Sequence, residues 1–251
     1  MTAQLYLVPP GSLDALAEGG RLTLIGEEAR HAATVKRVTP GEQLLVADGA
    51  GRSAAAVVAA VGAREVDLVV ESLRHDPEPR PRIVLVQALV KGGRDEDAIE
   101  AATELGVDEV IPWEAERCIV RWKDAKRAKG RQKWTNVVTA ATKQSRRSRV
   151  PAVGEVLGTA ALLQRIGEGG SAPFVLHEQA STPLATLPED RLSAPEEIVL
   201  VVGPEGGIAA GELSRLEGAG ATAVRLGPSV LRAGVAGPAA IAVIAARLRW
   251  G

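Results

Sequence analysis

Short runs of alternating apolar and polar residues fill the first part of the chain. Gly, Asp and Pro separate these runs, as at Thr39-Pro40-Gly41, and a helical pattern covers Glu27 to Arg37. Period-two alternation between turn residues predicts half-buried strands. The predicted strands are Gln4 to Val8, Arg21 to Ile25, Gln43 to Asp48, Ser53 to Val61 and Val66 to Leu73. We therefore predict a small β-barrel with one inserted helix over residues 1–73.

The apolar pattern changes after a proline-rich stretch. Residues 74–82 contain three prolines and read as a linker. Beyond them, Ile83 to Val90 is a predicted strand, Arg94 to Leu105 a helix and Val107 to Ile111 another strand. This order predicts a parallel sheet with a right-handed crossover, in a second domain over residues 83–251. The pattern further predicts a long helix from Lys123 to Ser148, which Gly130 could interrupt, and a last helix from Gly237 or Pro238 to Trp250.

A continuous apolar run, Ile198 to Val202, stops abruptly at the glycine-rich sequence Gly203-Pro204-Glu205-Gly206-Gly207. Such a run predicts a central strand covered on both faces. The glycines permit backbone angles and close approaches that side chains would prevent, so a ligand could lie against this turn. The alternative is an ordinary strand-to-helix connection, but turn chemistry alone poorly explains Glu205 between glycines at a strand end. Strand Phe174 to Leu176 ends similarly in His177-Glu178, which either cap the strand or contribute to the same site.

Composition and charge restrict the class of protein. The chain has 251 residues, of which 46% are hydrophobic and 24% charged, as expected for a globular protein. No apolar run approaches the roughly 20 residues that span a bilayer, so we expect a cytoplasmic protein. One cysteine and three histidines predict neither disulfides nor a metal site. No phosphate-loop or dinucleotide-binding glycine pattern is present, because Lys91-Gly92-Gly93 lacks the required spacing.

Positive charge is concentrated in one segment. Arg117 to Arg149 holds twelve Lys or Arg residues and a single acid, Asp124, whereas the whole chain carries a net charge of −1. Basic runs on solvated helices normally include glutamates, which are absent here. The asymmetry therefore favours contact with nucleic acid.

Glu205 and its neighbouring glycines are followed, about twenty residues later, by Leu226-Gly227-Pro228-Ser229-Val230-Leu231-Arg232. This pair of motifs resembles the C-terminal signature of the SPOUT methyltransferases, and most closely the family that methylates N3 of a uridine in 16S ribosomal RNA (the RsmE family). Other segments extend the resemblance along almost the whole chain, namely His31 to Arg37, Gln87 to Gly92, Thr103 to Val107, Lys143 to Arg147 and Leu176 to Glu178.

The resemblance implies an α/β SPOUT-type domain with a parallel sheet and a deep trefoil knot, preceded by a PUA-like RNA-binding barrel. It also implies S-adenosylmethionine as cofactor, no metal, and a homodimer whose interface includes the final helix. The implied cofactor-binding residues are Leu176, His177, Glu178, Gly203, Pro204, Glu205, Gly206, Gly207, Leu226, Gly227, Leu231 and Ala236.

The implied partner is 16S ribosomal RNA, within the small ribosomal subunit. The resemblance and the basic run together predict RNA contacts at His31, Lys36, Arg37, Lys91, Arg121, Lys123, Lys143, Gln144, Arg146 and Arg147. Arg146 stands where the family commonly has glycine.

Arg232 and Glu205 are the predicted catalytic residues. We expect Arg232 to stabilise negative charge on the uracil, although it could instead pair with a carboxylate that holds its loop. Glu205 is either a base or an anchor for the cofactor or the loop. The family follows its Leu-Arg pair with threonines and an acid or serine, whereas Ala233-Gly234-Val235-Ala236 offers neither hydroxyl nor carboxylate. A non-catalytic RNA-binding assembly factor therefore remains an alternative. Among enzymes, the alternative is a sister SPOUT activity that methylates a ribose 2′-hydroxyl.

Overall fold

The computed structural model describes residues 3–250, which divide into two compact units. The first unit contains the described residues up to Glu78 together with Thr142–Val150, and the second contains Pro79–Ala141 and the described residues from Pro151 onward. The sequence assigned Thr142–Val150 to the second domain. The predicted boundaries at 73 and 83 stay a prediction, although the last strand of the first unit continues to His75.

The first unit is a five-stranded curled sheet with a helical insertion. Along the sheet the strands run in the order β1, β3, β4, β5, β2. Tyr6, Leu24, Leu44, Val58 and Leu68 belong to the apolar core of this unit. Its elements are β1 (Leu5–Leu7), β2 (Arg21–Ile25), α1 (Gly26–Arg30) with a π-helical continuation (His31–Lys36), β3 (Gln43–Ala47), β4 (Arg52–Val61) and β5 (Glu65–His75).

The segment Thr142–Val150 is joined to the rest of the first unit by polar contacts. The Lys143 ammonium donates to both carboxylate oxygens of Glu28 at 2.8 Å. The Ser148 hydroxyl donates to Asp76 at 2.6 Å, and Gly51 N–H donates to the Ser148 carbonyl at 3.1 Å. These contacts come from residues far apart in sequence, so the pattern of the chain could not indicate them.

The second unit is built on a seven-stranded parallel sheet with the strand order β12, β10, β11, β6, β7, β8, in which β9 also pairs with β7. Its central strands are fully buried, which explains their continuous apolar sequences. Its strands are β6 (Arg82–Ala88), β7 (Glu109–Glu114), β8 (Ala152–Val153), β9 (Leu157–Gly158), β10 (Ser171–Leu176), β11 (Glu197–Val202) and β12 (Thr222–Val224).

The helices that accompany this sheet are α2 (Arg94–Glu104), α3 (Ala125–Ser145), α4 (Thr159–Gly167), α5 (Asp190–Ser193), α6 (Ala210–Gly218) and α7 (Ala233–Leu248). The last four residues of α3 belong to the first unit. The predicted start of α7 was wrong: the helix begins at Ala233, and Pro238 lies inside it. A start at Pro238 would have matched the preference of proline for the first helical position.

Gly130 does not interrupt α3 but allows an aromatic contact. A Cβ at this position would overlap the Trp122 ring, which meets Trp134 edge-on with the ring centroids 5.6 Å apart. Trp134 is fully buried. The glycine is therefore required by the packing of Trp122 rather than by a break in the helix.

We expect Gly130→Ala to destabilise the protein, because the gain in helix propensity of about 1 kcal/mol is smaller than the 1–3 kcal/mol that overpacking typically costs. The midpoint of thermal unfolding should fall. Gly211→Ala is the matched control, since this helical glycine has no neighbour within 4 Å of its added Cβ. An equal or higher midpoint for Gly130→Ala would show that Trp122 can move at no cost.

Candidate functional site

The carboxyl ends of β10, β11 and β12 lie level with one another. Leu176, the last residue of β10, is paired with Val202 of β11 on one side and Val224 of β12 on the other. The two sequences that the pattern singled out, His177-Glu178 and Gly203 to Gly207, therefore leave the sheet side by side. Ligands of parallel α/β sheets bind at this edge.

The glycine-rich turn after β11 is tightly folded. A Cβ on Gly203 would lie 2.6 Å from Cγ1 of Ile208, and Gly207 has a positive φ of 69°. Gly207 N–H donates to the Pro204 carbonyl at 2.9 Å. Both glycines are thus required by the conformation, as the sequence predicted.

This turn forms one wall of a cavity of about 750 Å³. Of the predicted cofactor-binding residues, Leu176, His177, Glu178, Gly203, Pro204, Glu205, Gly206, Gly207, Leu231 and Ala236 line the cavity, as does Arg232. Leu226 and Gly227 are not among its lining residues. The structure adds Arg94, Arg117, Gln179, Val202, Ile208, Ala210, Leu213, Val230, Ala233 and Gly234.

Three arginines and two glutamates, Glu178 and Glu205, line the cavity. Arg94 Nη1 lies 3.8 Å from the Glu205 carboxylate, and Arg117 Nη1 donates to the Gly206 carbonyl at 2.9 Å. Arg232 is exposed, and within residues 3–250 it forms no ion pair with a carboxylate. The partner of Glu205 is therefore Arg94, which the sequence did not identify because the two residues are joined only by tertiary structure.

Close packing explains why residue 234, in the first turn of α7, is a glycine. A Cβ on Gly234 would lie 2.9 Å from the Arg94 carbonyl oxygen. Side chains at this position would collide with the backbone at the start of α2. Ala233 and Gly234 instead expose the first turn of α7 to the cavity.

The predicted RNA-binding residues are divided between the two units. His31, Lys36, Arg37, Lys143, Gln144, Arg146 and Arg147 lie in the first unit, and Lys91, Arg121 and Lys123 lie in the second. Their contact with RNA stays a prediction. Burial and the neighbouring Lys143 lower the pKa of His31, so its ring is held neutral. Because the ammonium of Lys143 is bound to Glu28, it is less available to a phosphate than the sequence suggested.

Arg37 and Arg146 have an unusual backbone conformation. Their φ angles are 54° and 57°, in the left-handed region that glycine favours, and each follows the end of a helical segment. The left-handed conformation of residue 146, just after the end of α3, explains why a glycine would suit this position. An arginine there costs about 1 kcal/mol or more in backbone strain.

Acidic residues from elsewhere neutralise part of the basic segment. Lys133 pairs with Glu96, Arg131 with Glu155 and Arg121 with Glu114. Lys123, Lys126 and Lys129 remain exposed. The net positive charge that the sequence indicated is therefore smaller on the folded surface.

Cys118 directly follows the cavity residue Arg117 in sequence and is buried. Burial raises the pKa of its thiol to about 11, so it is protonated at neutral pH and is no nucleophile. Within residues 3–250, no group of three or more His, Cys, Asp or Glu side chains could hold a metal ion. No helix in this part of the chain is both long and apolar enough to cross a bilayer.

Known proteins resemble the chain over both units. A family model described as an RNA methyltransferase domain matches residues 76–245, and one described as an RNA methyltransferase PUA domain matches residues 24–71. The chain is also 43% identical to ribosomal RNA small subunit methyltransferase E of Mycobacterium bovis, over 97% of this chain and 92% of the relative. This chain belongs to the ribosomal RNA small subunit methyltransferase E family.

Two solved structures share the fold. A Neisseria gonorrhoeae ribosomal RNA small subunit methyltransferase E bound to S-adenosylmethionine is 27% identical, with a TM-score of 0.83 over 98% of each chain. A putative Legionella pneumophila methyltransferase, also in complex with S-adenosylmethionine, is 29% identical, with a TM-score of 0.82 over 98% of each chain. The predicted SPOUT-type α/β domain with an N-terminal PUA-like unit is confirmed. The trefoil knot stays a prediction.

Proposed function

We propose that this protein transfers a methyl group from S-adenosylmethionine to N3 of a uridine in 16S ribosomal RNA. The observation that carries the proposal is the glycine-lined cavity at the level strand ends, in a chain that belongs to this methyltransferase family. Binding of S-adenosylmethionine, measured by calorimetry, and mass-spectrometric mapping of the methylated nucleotide test it directly.

The residues around the cavity suit this cofactor. A volume of about 750 Å³ is in the range of small-molecule sites, which are mostly apolar with a few polar groups. Leu176, Val202, Ile208 and Leu231 would surround the adenine, and the backbone of Gly203 to Gly207 would approach the ligand closely. S-adenosylmethionine supplies an electrophilic methyl group on a sulfonium, so the protein's task is chiefly to position the uridine and assist its nucleophile.

Arg232 is the proposed electrostatic catalyst. N3 of uracil becomes a good nucleophile when its proton leaves, and the resulting anion spreads its charge onto two carbonyl oxygens. Arg232 lines the cavity with no carboxylate partner among residues 3–250, so its guanidinium is free to stabilise this anion. Glu205 pairs with Arg94, which supports its role as an anchor of the loop rather than as the base.

Arg232→Ala should lower the rate of methyl transfer by a factor of about a hundred or more while leaving S-adenosylmethionine binding nearly unchanged. Raising the pH should partly restore the rate, because more of the uracil is then deprotonated in solution. Arg225→Ala is the matched control, since Arg225 is exposed and does not line the cavity. Joint loss of cofactor binding and turnover, without rescue at high pH, would instead assign Arg232 a structural role.

Two other functions make different predictions. A ribose 2′-O-methyltransferase would need a base at an alcohol and would give a product methylated on the sugar. A non-catalytic assembly factor would bind RNA but leave the cavity without cofactor. The PUA-like unit and the match at Gln144 to Arg147 favour the N3 activity.

We propose that Arg146 and Arg37 bind RNA phosphates. Both arginines occupy strained left-handed positions where glycine would be more stable, and both are exposed. Strain of this kind is commonly maintained at functional positions. The proposed substrate, ribosomal RNA in the small subunit, also implies that the protein acts in the cytoplasm.

Arg146→Gly should raise the thermal unfolding midpoint while weakening RNA binding, because it relieves strain and removes a charge. Substituting both Arg146 and Arg147 with Ala should reduce the magnitude of the slope of log K for RNA binding against log salt concentration by about one to two. Arg64→Ala, at an exposed turn of the same unit, is the control for loss of charge. An unchanged salt dependence in the double variant would mean that the RNA surface lies elsewhere.

We propose a homodimer in which α7 contributes an apolar face. Val235 and Trp250 are 50% and 56% exposed, and Ala239, Ala242 and Ala246 lie between them at helical spacing. The charged side chains at this end are bound within the chain, since Arg249 donates to Asp108 at 2.6 Å and Arg247 to the Leu187 carbonyl at 2.8 Å. Continuous exposed apolar surface is uncommon on monomers.

Sedimentation should therefore give a dimer at micromolar concentration, and Ala246→Glu should shift it towards monomer because a charge would be buried in the interface. Ala63→Glu, in an exposed turn of the first unit, should leave the dimer intact. A wild-type protein that sediments as a monomer would contradict the proposal.

A further inference from the structure

The loop formed by residues 115–122, which follows β7, is held by hydrogen bonds at both ends. Near its start, Glu116 N–H donates to the two carboxylate oxygens of Glu212 at 3.1 and 3.4 Å. At its end, Trp122 N–H donates to the Glu114 carboxylate at 2.6 Å. A loop so fixed presents the side chains between these points in a defined direction.

Glu212, on α6, is completely buried. Its carboxylate accepts hydrogen bonds from Glu116 N–H and from the Thr159 hydroxyl, which itself accepts one from the Trp113 indole at 3.4 Å. A buried carboxylate is costly unless donors satisfy it. The packing of α6 alone would be served as well by an apolar residue, such as its buried neighbour Leu216. The carboxylate is therefore explained by the donors that it orients.

Arg117, which directly follows Glu116, contacts the glycine-rich turn. Its Nη1 donates to the Gly206 carbonyl at 2.9 Å, and a Cβ added to Gly206 would lie 3.6 Å from the Arg117 Cβ. Arg117 also lines the cavity. Glu116 is held a second time, because its carboxylate pairs with Arg215, one turn beyond Glu212 on α6.

We propose that Glu212 is a positioning residue for the cofactor-binding turn: by fixing Glu116 N–H it places Arg117, which in turn holds the Gly206 carbonyl and so the conformation of Gly203 to Gly207. The inference rests on the proposed function, because it takes the ligand of this turn to be S-adenosylmethionine. It assigns Glu212 no contact with the cofactor. The sequence could not indicate this role, since the connection runs from α6 through the distant 115–122 loop to the glycine-rich turn.

A double-mutant cycle on cofactor affinity tests the connection. Glu212→Gln and Arg117→Ala should each weaken S-adenosylmethionine binding by about tenfold, the usual effect of losing a charge-assisted hydrogen bond. The double variant should also bind about tenfold more weakly, and not a hundredfold, because both changes break the same connection. Calorimetry with the full-length chain measures all four dissociation constants.

Two controls separate positioning from folding. Glu217→Gln makes the same change on the exposed side of α6 and should leave affinity unchanged. Thr159→Val removes the other donor to Glu212 and should lower the thermal unfolding midpoint while changing affinity less than about twofold. If Glu212→Gln fails to fold, Glu212→Asp takes its place in the same cycle. This variant keeps the carboxylate but moves it away from Glu116 N–H.

The outcomes distinguish the two proposals. Failure of the wild-type chain to bind S-adenosylmethionine would overturn the proposed function. Wild-type binding with additive effects, close to a hundredfold in the double variant, would overturn only the positioning role of Glu212. Unchanged affinity of Glu212→Gln for S-adenosylmethionine would also overturn only the positioning role of Glu212.

Discussion

The level alignment of parallel strands is the constraint on which the site depends. Because Leu176 and Val202 are paired at the ends of β10 and β11, the segments that follow them must leave the sheet together. The glycines at 203 and 207 then let the backbone turn sharply without side-chain collisions. The cavity is a consequence of this alignment: its polar side chains come partly from the segments after β10 and β11, and Arg94, Arg117 and Arg232 are added from elsewhere in the chain.

The parts of this arrangement that depend on local sequence could be predicted. Ile198 to Val202 is a buried strand, the following glycines adopt a tight turn, and the β-α-β order gives a parallel sheet. Arg94, Arg117 and Glu212 could not be found in this way, because each acts through a tertiary contact with a distant segment. Leu226 and Gly227 were expected at the cavity from the resemblance, yet they do not line it.

The basic segment shows why sequence charge and surface charge differ. Counting residues from 117 to 149 ignores Glu96, Glu114 and Glu155, which the fold brings to Lys133, Arg121 and Arg131. Exposed pairs of this kind add little stability, but they remove positive charge from the field that RNA would meet. The proposed RNA contact at Arg146 therefore rests on the conformation and exposure of this residue rather than on the number of basic residues around it.

The start of α7 restricts how the proposed reaction can be assisted. Gly234 cannot carry a side chain without meeting the Arg94 carbonyl oxygen, and Glu205 is already paired with the Arg94 guanidinium. Glu205 is thus a poor candidate for the base, and in the proposed mechanism the uracil proton leaves to solvent. If the proton leaves to solvent, the rate of methyl transfer depends on how strongly the site stabilises the uracil anion relative to neutral uracil. The proposed mechanism therefore relies on Arg232, whose guanidinium adds a fixed positive charge to the cavity without needing to accept a proton.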